Sequence, residues 1–389
     1  MRLSLIALAL ALVACEKQAS TEPATPVSYV AKLPPLSPIP AVSPDARRAD
    51  TEPPSDTPPE PIQADELTGV SVWSAPLPPS GGLTALSPSD GGSILAASHD
   101  GALFRVTGND VKSLGSSTCV DRGWPAMGDQ SPFVAGIREH DGVIDLVGWV
   151  NRWGRSWAHT GYVSRRLSAG RWSCRDGDFP IDDTQWSGGV RWQTGHAWRD
   201  VDEISNDELG ALPNTDVFWI WAPAGRARAW GLAQREEHPT LLDFDGVVWH
   251  RRPLPAAVSD VDALAASEDG EVWVAARTAA KRSIVVHWDG SAFRYVAVPA
   301  DLKTSVAVVV KGEPWFLGTD RFYTVRDGRV LTMKAPIAPV VTFVSEKGEF
   351  WIGGTSLTEH RPETRRPSIW LSDLSDLRGA LVRLATRTP

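Results

Sequence analysis

Three stretches of the sequence share one short pattern, in which Gly-Glu is followed by an apolar residue and a tryptophan. The clear copies are Gly270-Glu271-Val272-Trp273, Gly312-Glu313-Pro314-Trp315 and Gly348-Glu349-Phe350-Trp351. Weaker copies begin at Gly92, Gly142 and Gly225, and consecutive copies are 36 to 50 residues apart, except for the 83 residues between Gly142 and Gly225. A chain with repeats at this spacing folds as an array of similar small units.

Each repeat carries the signals of four short antiparallel strands. Asp-Gly pairs supply the positive φ that a tight hairpin needs, and they separate apolar stretches at Asp245-Gly246, Asp289-Gly290 and Asp327-Gly328. Four-stranded repeats at this spacing are typical of propeller blades. The sequence therefore predicts an all-β protein, a β-propeller of six four-stranded blades. A seventh blade has room in residues 181–216, which otherwise fit an insertion at about 181–215.

Tryptophans recur at strand positions of the repeats. Because a single blade cannot bury both faces of its sheet, large apolar side chains are expected between neighbouring blades. We therefore expect these tryptophans to be structural wedges between blades rather than ligand contacts: Trp273, Trp288, Trp315 and Trp351.

The two ends of the repeat region predict how the ring closes. Residues 69–78 resemble residues 246–255, which form the outermost strand and exit loop of another repeat. No segment upstream can pair with this strand, so we expect it to complete the last blade, which begins at Pro339. Residues 372–385 also fit a terminal amphipathic helix, because their leucines recur at helical spacing.

The N-terminal residues 1–14 have the features of a signal peptide. Arg2 precedes an apolar run that is too short to span a bilayer as a helix. Residues 15–66 are rich in proline and contain one aromatic residue, Tyr29, so they predict a disordered, semi-rigid linker. The propeller is then expected in residues 67–389.

Leu12-Val13-Ala14-Cys15 resembles the bacterial lipobox. The resemblance implies that Cys15 is acylated, that the chain is cut before it, and that the lipid anchors the protein to a membrane of the cell envelope. Glu16 stands where an aspartate favours inner-membrane retention, so the resemblance favours the outer membrane.

The net charge bears on nucleic-acid binding, and the cysteine content bears on disulfide formation. The formal net charge is −8, so no overall basic field attracts the chain to nucleic acid, and we expect no nucleic-acid partner. If Cys15 carries lipid, Cys119 and Cys174 are the one pair left for a disulfide in an oxidising compartment. They form that disulfide or remain two free thiols too far apart to bond.

Two segments resemble the propeller repeats of periplasmic sensor domains in two-component regulators. The resemblance covers roughly residues 83–355, and it rests most clearly on residues 346–355 (Glu-Lys-Gly-Glu-Phe-Trp-Ile-Gly-Gly-Thr) and 286–293 (Val-His-Trp-Asp-Gly-Ser-Ala-Phe). It implies the fold and specifies no ligand. Those sensors continue into a membrane helix and a kinase, and we expect neither from this sequence, so phosphotransfer is not implied.

No motif in the sequence points to a particular reaction. We find no nucleophile elbow, zinc-protease motif, phosphate-binding loop or calcium loop. The pairs His99-Asp100 and His140-Asp141 are adjacent at turns, where neighbouring side chains usually point apart. We expect no cofactor and no metal. Binding is favoured over catalysis, although distant loops of a propeller can still assemble an active site.

Loop lengths indicate where a ligand would bind. The first and third turns of each repeat are short and share one rim, whereas the second turns and the blade-to-blade links are long and share the other. Arginines, tryptophans and a histidine on the long loops are the candidate binding residues: Arg152, Trp153, Arg155, Trp157, His159, Arg277, Arg282, Arg361 and Arg365.

Arginine beside exposed tryptophan suits a glycan, an anionic polymer or a protein of the envelope. Two other functions remain open at this point, a propeller-type glycan hydrolase or lyase and a structural subunit of an envelope assembly. Alternatively, these residues bind no ligand: the tryptophans pack the long loops onto the propeller, and the arginines are solvated.

Overall fold

The structure, a computed structural model, describes residues 57–75, 77–78, 80–99, 101–116, 133–153, 158–176, 185–187, 190–193, 196–199, 217–221, 229–233, 238–244, 249–267, 269–345, 348–357 and 378–386. The predicted signal peptide, Cys15 and the predicted linker up to residue 56 lie outside these residues. Cys119, Arg155, Trp157, Arg361 and Arg365 also lie outside them.

The described part of the chain is built from short strands that pair mainly with their neighbours in sequence. After β1 (Asp65–Glu66) and β2 (Val70–Ala75), blade 1 comprises β3 (Leu83–Ser89), β4 (Ser93–Ser98), β5 (Ala102–Thr107) and β6 (Asp110–Ser116). Blade 2 comprises β7 (Phe133–His140), β8 (Val143–Trp153), β9 (Ala158–Ser168) and β10 (Arg171–Asp176). Blade 3 has three strands, β11 (Gln185–Ser187), β12 (Val190–Gln193) and β13 (His196–Arg199).

The second half of the ring continues in the same way. Blade 4 comprises β14 (Val217–Trp221), β15 (Ala229–Ala233), β16 (Thr240–Phe244) and β17 (Trp249–Pro253). Blade 5 comprises β18 (Asp260–Ala266), β19 (Val272–Arg277), β20 (Ser283–Trp288) and β21 (Phe293–Val296). Blade 6 comprises β22 (Val306–Val310), β23 (Glu313–Leu317), β24 (Arg321–Arg326) and β25 (Arg329–Lys334). Blade 7 comprises β26 (Ala338–Val344), β27 (Phe350–Thr355), β28 (Gly379–Thr386) and the early strand β2.

These sheets confirm the predicted all-β propeller. Across the described residues there are seven sheets, the larger of the two blade counts that the sequence left open. The stretch that was expected to be an insertion at about 181–215 contains the three strands of blade 3.

Ring closure follows the prediction made from the repeats. Strand β2 pairs antiparallel with β28 from Val70 opposite Thr386 to Ala75 opposite Leu381, and so forms the outer strand of the last blade. The terminal helix considered for residues 372–385 is wrong for its second part, because Gly379–Thr386 is a strand between β27 and β2.

The predicted boundary between linker and propeller at residue 66 differs from the structure. Asp65 and Glu66 pair parallel with Leu331 and Thr332 of β25, as a fifth strand of blade 6. The last residues of the predicted linker therefore belong to the folded sheets.

The repeated tryptophans pack between blades, as predicted. Trp315 is buried against Phe350 of the next blade, with ring centroids 5.4 Å apart. The other three lie in apolar clusters that join neighbouring blades: Trp288 with Trp230, Trp273 with Phe316, and Trp351 with Phe104.

The glutamate of the repeated pattern also has a structural role. Glu313 accepts two hydrogen bonds from Arg326 on the next strand, at 2.6 and 2.8 Å. In the other two clear copies Glu349 lies 3.2 Å from Arg383 and Glu271 lies 3.6 Å from His287. The glutamate thus contacts a basic side chain of the neighbouring strand in each clear repeat.

Candidate functional site

The two rims of the propeller differ in the length of their loops. Two-residue turns at Asp141-Gly142 and Asp327-Gly328, with both residues at positive φ, lie on what we call the short-turn rim. The opposite end of the strands, which we call the long-loop rim, carries residues 254–259, 278–282 and 297–305. The rim also has short connections at residues 99–101 and 318–320, so the predicted contrast holds for part of it.

The first strand of a blade begins at the long-loop rim, and five of these strands carry a β-bulge near that end. The bulges fall at Thr84, Ala135, Phe218, Asp262 and Val340. First strands of neighbouring blades contact one another, as β3 and β7 do and as β18 and β22 do, so they surround the propeller axis. A bulge inserts an extra residue and redirects its side chain. The repeated bulge therefore sets apart one ring of residues near the mouth of the axis on this rim.

Blade 5 places a charged triad at this mouth. The guanidinium Nη2 of Arg277 lies 2.6 Å from Asp260 and 2.8 Å from Asp262, and its Nε donates to Asp262 at 3.1 Å. Arg277 and Asp260 face each other across the β18–β19 ladder, and the bulge brings Asp262 to the same guanidinium. The three side chains are only partly buried, being 28%, 23% and 17% exposed in the order Arg277, Asp260 and Asp262.

Burial raises the pKa of Asp262 above its ordinary value, although the neighbouring Arg277 charge opposes the rise. The nearby Asp260 carboxylate adds to it. A carboxyl that is easier to protonate thus sits beside a second carboxylate, and both contact one cation. The triad has more negative than positive groups, so it favours ligand hydroxyl or amino groups over anions.

The corresponding strand ends of two other blades are also polar. Counted from the repeated pattern, His99 in blade 1 and Thr355 in blade 7 occupy the position of Arg277. Both side chains are buried, and the backbone N–H of His99 donates to the carbonyl of Gly82 at 2.8 Å.

The predicted binding residues of blade 2 lie on strands more than on a loop. Arg152 and Trp153 end β8, His159 lies in β9, and Arg152 is directly opposite His159 in the ladder. The two strands are separated by residues 154–157. Trp157 and Arg155 belong to this segment, outside the described residues.

The remaining predicted residues have separate places. Arg277 is the last residue of β19 and not a loop residue, and it is the one predicted arginine that joins the triad. Arg282 lies in the β19–β20 loop, half-buried, with an Nε that has no hydrogen-bond partner in the part of the chain described. Arg361 and Arg365 fall between β27 and β28, outside the described residues. Cys174 lies on β10 opposite Arg165, and its predicted pairing with Cys119 stays a prediction.

Sequence reasoning missed Asp260 and Asp262. The signal was present, because Asp-Val-Asp opens one apolar strand and Arg277 closes the strand that returns beside it. An antiparallel register brings those ends together, but the contact with Asp262 depends on a bulge that the residue pattern does not specify.

The described ranges contain no group of three or more His, Cys, Asp or Glu residues arranged to hold a metal ion. Nor do they contain a helix long and apolar enough to cross a membrane.

Known proteins give matches at the level of solved structures alone. No protein-family model matches the chain, and no curated protein matches it. Among solved structures, the chain is similar to a luciferin-regenerating enzyme (TM-score 0.42, 11% identity, covering 81% of this chain and 95% of that one). It is also similar to the WD40 β-propeller domain of Doa1 (0.42, 12%, 83% and 98%) and to a gluconolactonase from Xanthomonas campestris (0.38, 14%, 87% and 99%).

The strand order and the closed last blade define the chain as a β-propeller protein. At such low identity and TM-score the similar structures do not indicate a ligand or a reaction for this chain.

Proposed function

We propose that this protein is a lipid-anchored β-propeller that binds a glycan of the cell envelope at its long-loop rim. The observation that carries the proposal is the Asp260–Arg277–Asp262 triad, which is partly exposed at the axial mouth of that rim. A sugar hydroxyl both donates and accepts hydrogen bonds. The carboxylates of the triad can accept from it and the guanidinium can donate to it.

The charges of the triad favour one of the three ligand classes suggested by the sequence, which are a glycan, an anionic polymer and a protein. An anionic polymer needs uncompensated cations, whereas the charge of Arg277 is balanced by two carboxylates at 2.6 and 2.8 Å. A protein partner has no specific support in the described residues. A glycan therefore fits this part of the rim best, with Arg152, Trp153, Arg155, Trp157 and His159 as the proposed stacking and hydrogen-bonding contacts of blade 2.

The binding test compares one rim with the other. Purified full-length protein would be titrated with isolated envelope polysaccharide and with peptidoglycan, in parallel with the variants Asp262→Asn and Trp157→Ala. Loss of a charge-assisted hydrogen bond or a stacking contact should weaken binding about tenfold or more. Asp327→Asn on the short-turn rim is the matched control, because asparagine tolerates the positive φ found there.

The melting temperature of each variant shows whether its residue contacts the ligand or only stabilises the fold. The proposal fails if the long-loop variants bind like the parent, or if their binding falls only in proportion to their melting temperature.

A hydrolase is the second candidate, and one specific observation favours it. Burial raises the pKa of Asp262, and the Asp260 carboxylate contacts the same guanidinium. Glycoside hydrolysis uses two carboxyl groups, of which the general acid has a raised pKa. Release of new reducing ends from the same polysaccharides, abolished in Asp262→Asn, would establish this reaction. Binding without any product would leave the protein a binder.

The anchor is tested independently of the rim. Cys15→Ser should move the protein from the detergent phase to the aqueous phase, because the serine hydroxyl cannot form the thioether of a lipobox cysteine. Retention of the variant in the detergent phase would reject the lipid anchor and leave the binding proposal intact.

A further inference from the structure

Residues 62–75, which we call the latch, run along the outer wall of three blades. The N–H of Ile62 donates to the carbonyl of Val298 beyond the last strand of blade 5, at 3.3 Å. Asp65 and Glu66 pair with blade 6, and the N–H of Leu67 donates to the carbonyl of Thr332 there, at 2.7 Å. The positive φ of Gly69 turns the chain into β2, the outer strand of blade 7.

The latch inserts a side chain into each seam that it crosses. Ala64 packs on the apolar cluster between blades 5 and 6. Leu67 and Val70 pack in the cluster between blades 6 and 7, and Trp73 packs in the cluster between blades 7 and 1. Ala75 is buried in the same cluster as Trp73, while Val72 on the same strand is 45% exposed.

Both strands of the latch pair at a sheet edge. β1 is the outermost strand of blade 6 and β2 the outermost strand of blade 7, so neither is enclosed between two strands. The latch can therefore leave without disturbing the order of the remaining strands. Its departure would make β25 and β28 the new edges, and it would withdraw the Trp73 ring from Arg383, which lies 5.3 Å from the ring centre.

We propose that the latch detaches as one cooperative unit while blades 4 and 5 stay folded. This inference does not depend on the ligand or on catalysis.

Native-state hydrogen exchange of the full-length protein, read by mass spectrometry, tests the proposal. In Leu67→Ala and in Trp73→Ala, amides of β2, β25 and β28 should exchange at least about tenfold faster, because a buried side chain is lost from the closed state alone. Amides of β18, β19 and β20 should keep the parent rate. Val72→Ala is the matched control on the same strand, with an exposed side chain and no expected change.

Two results would overturn the latch. Equal acceleration of blade 5 and β28 would mean that the ring opens as a single unit, and acceleration confined to residues 62–67 would mean that β1 frays without β2. Leu67→Val retains part of the apolar contact and replaces Leu67→Ala if that variant does not fold.

Discussion

At the scale of single residues, His287 joins two parts of the repeated pattern. Its imidazole stacks on Trp273 at 3.8 Å between ring centroids and 12° between planes, and its Nε2 lies 3.6 Å from the carboxylate of Glu271. Burial lowers the pKa of His287, and the carboxylates of Glu271 and Asp289 oppose the change only in part. The native state therefore favours the neutral ring.

This preference predicts that acid destabilises the propeller through His287. The unfolded chain takes up the proton near the ordinary value of 6.5, while the native ring resists it, so the free energy of unfolding should fall as the pH drops below that value. His287→Phe keeps a stacked ring without a titrating group and should lose less stability between pH 7.5 and pH 5. Urea unfolding at the two pH values measures the difference.

His238→Gln is the control, because it removes a histidine that is exposed on the surface. A pH dependence as steep in His287→Phe as in the parent would contradict the assignment.

The same residues show what the sequence could predict. Trp273 belongs to a repeated pattern, and its repetition predicts a structural role between blades. Asp262 is not repeated, and its contact with Arg277 depends on one bulge. The roles of scaffold side chains could be predicted because those side chains recur in the clear repeats. The side chains of the candidate site do not recur, so their roles were harder to predict.

At the scale of strands, two adjacent glycines of β27 tolerate substitution differently. A Cβ on Gly354 would lie 1.9 Å from the backbone oxygen of Ala338, whereas a Cβ on Gly353 would first meet a methyl group of Val341 at 2.9 Å. The backbone oxygen belongs to the paired strand β26 and cannot turn away, but a side-chain methyl can.

Gly354→Ala should therefore destabilise the protein by about 1 to 3 kcal/mol, the usual cost of overpacking, and Gly353→Ala by less. Chemical unfolding of the two variants beside the parent checks the order. Equal losses would mean that β26 and β27 separate freely at this point.

Two segments form strands that the sequence did not predict. Residues 379–386 carry leucines that fit a helix as well as a strand, and their pairing with β2 from the other end of the chain decides for the strand. Residues 185–199 lack the Gly-Glu-Trp pattern, so they were expected to be an insertion although they form three strands. The first difference comes from a partner that is distant in sequence. The strands of blade 3 pair with one another, so the second comes from the missing repeat pattern alone.

At the scale of the whole molecule, β28 is the element on which closure depends. It lies between β27 and β2 in blade 7, and Val382 and Leu384 are buried in the cluster shared with blade 6. Removing it would leave β2 without a partner strand, and it would take Val382 and Leu384 out of the cluster shared with blade 6.

A stop codon after Arg378 should therefore abolish folded protein, whereas a stop codon after Thr386 should leave the melting temperature close to that of the parent. Circular dichroism and the yield of folded protein compare the two truncations. Folded protein from the shorter chain would mean that β2 can pair directly with β27.

Because strands from both ends of the chain close the ring, closure can occur only late in synthesis. The hydroxyl of Ser71 donates to the carbonyl of Ala385, which is 314 residues later in the chain. At the usual pace of synthesis, about 5 to 20 residues per second, the early strand waits roughly 15 to 60 seconds for its partner to be made. Blades 1 to 6 can form while the chain grows, but the circle stays open until the final residues have been added.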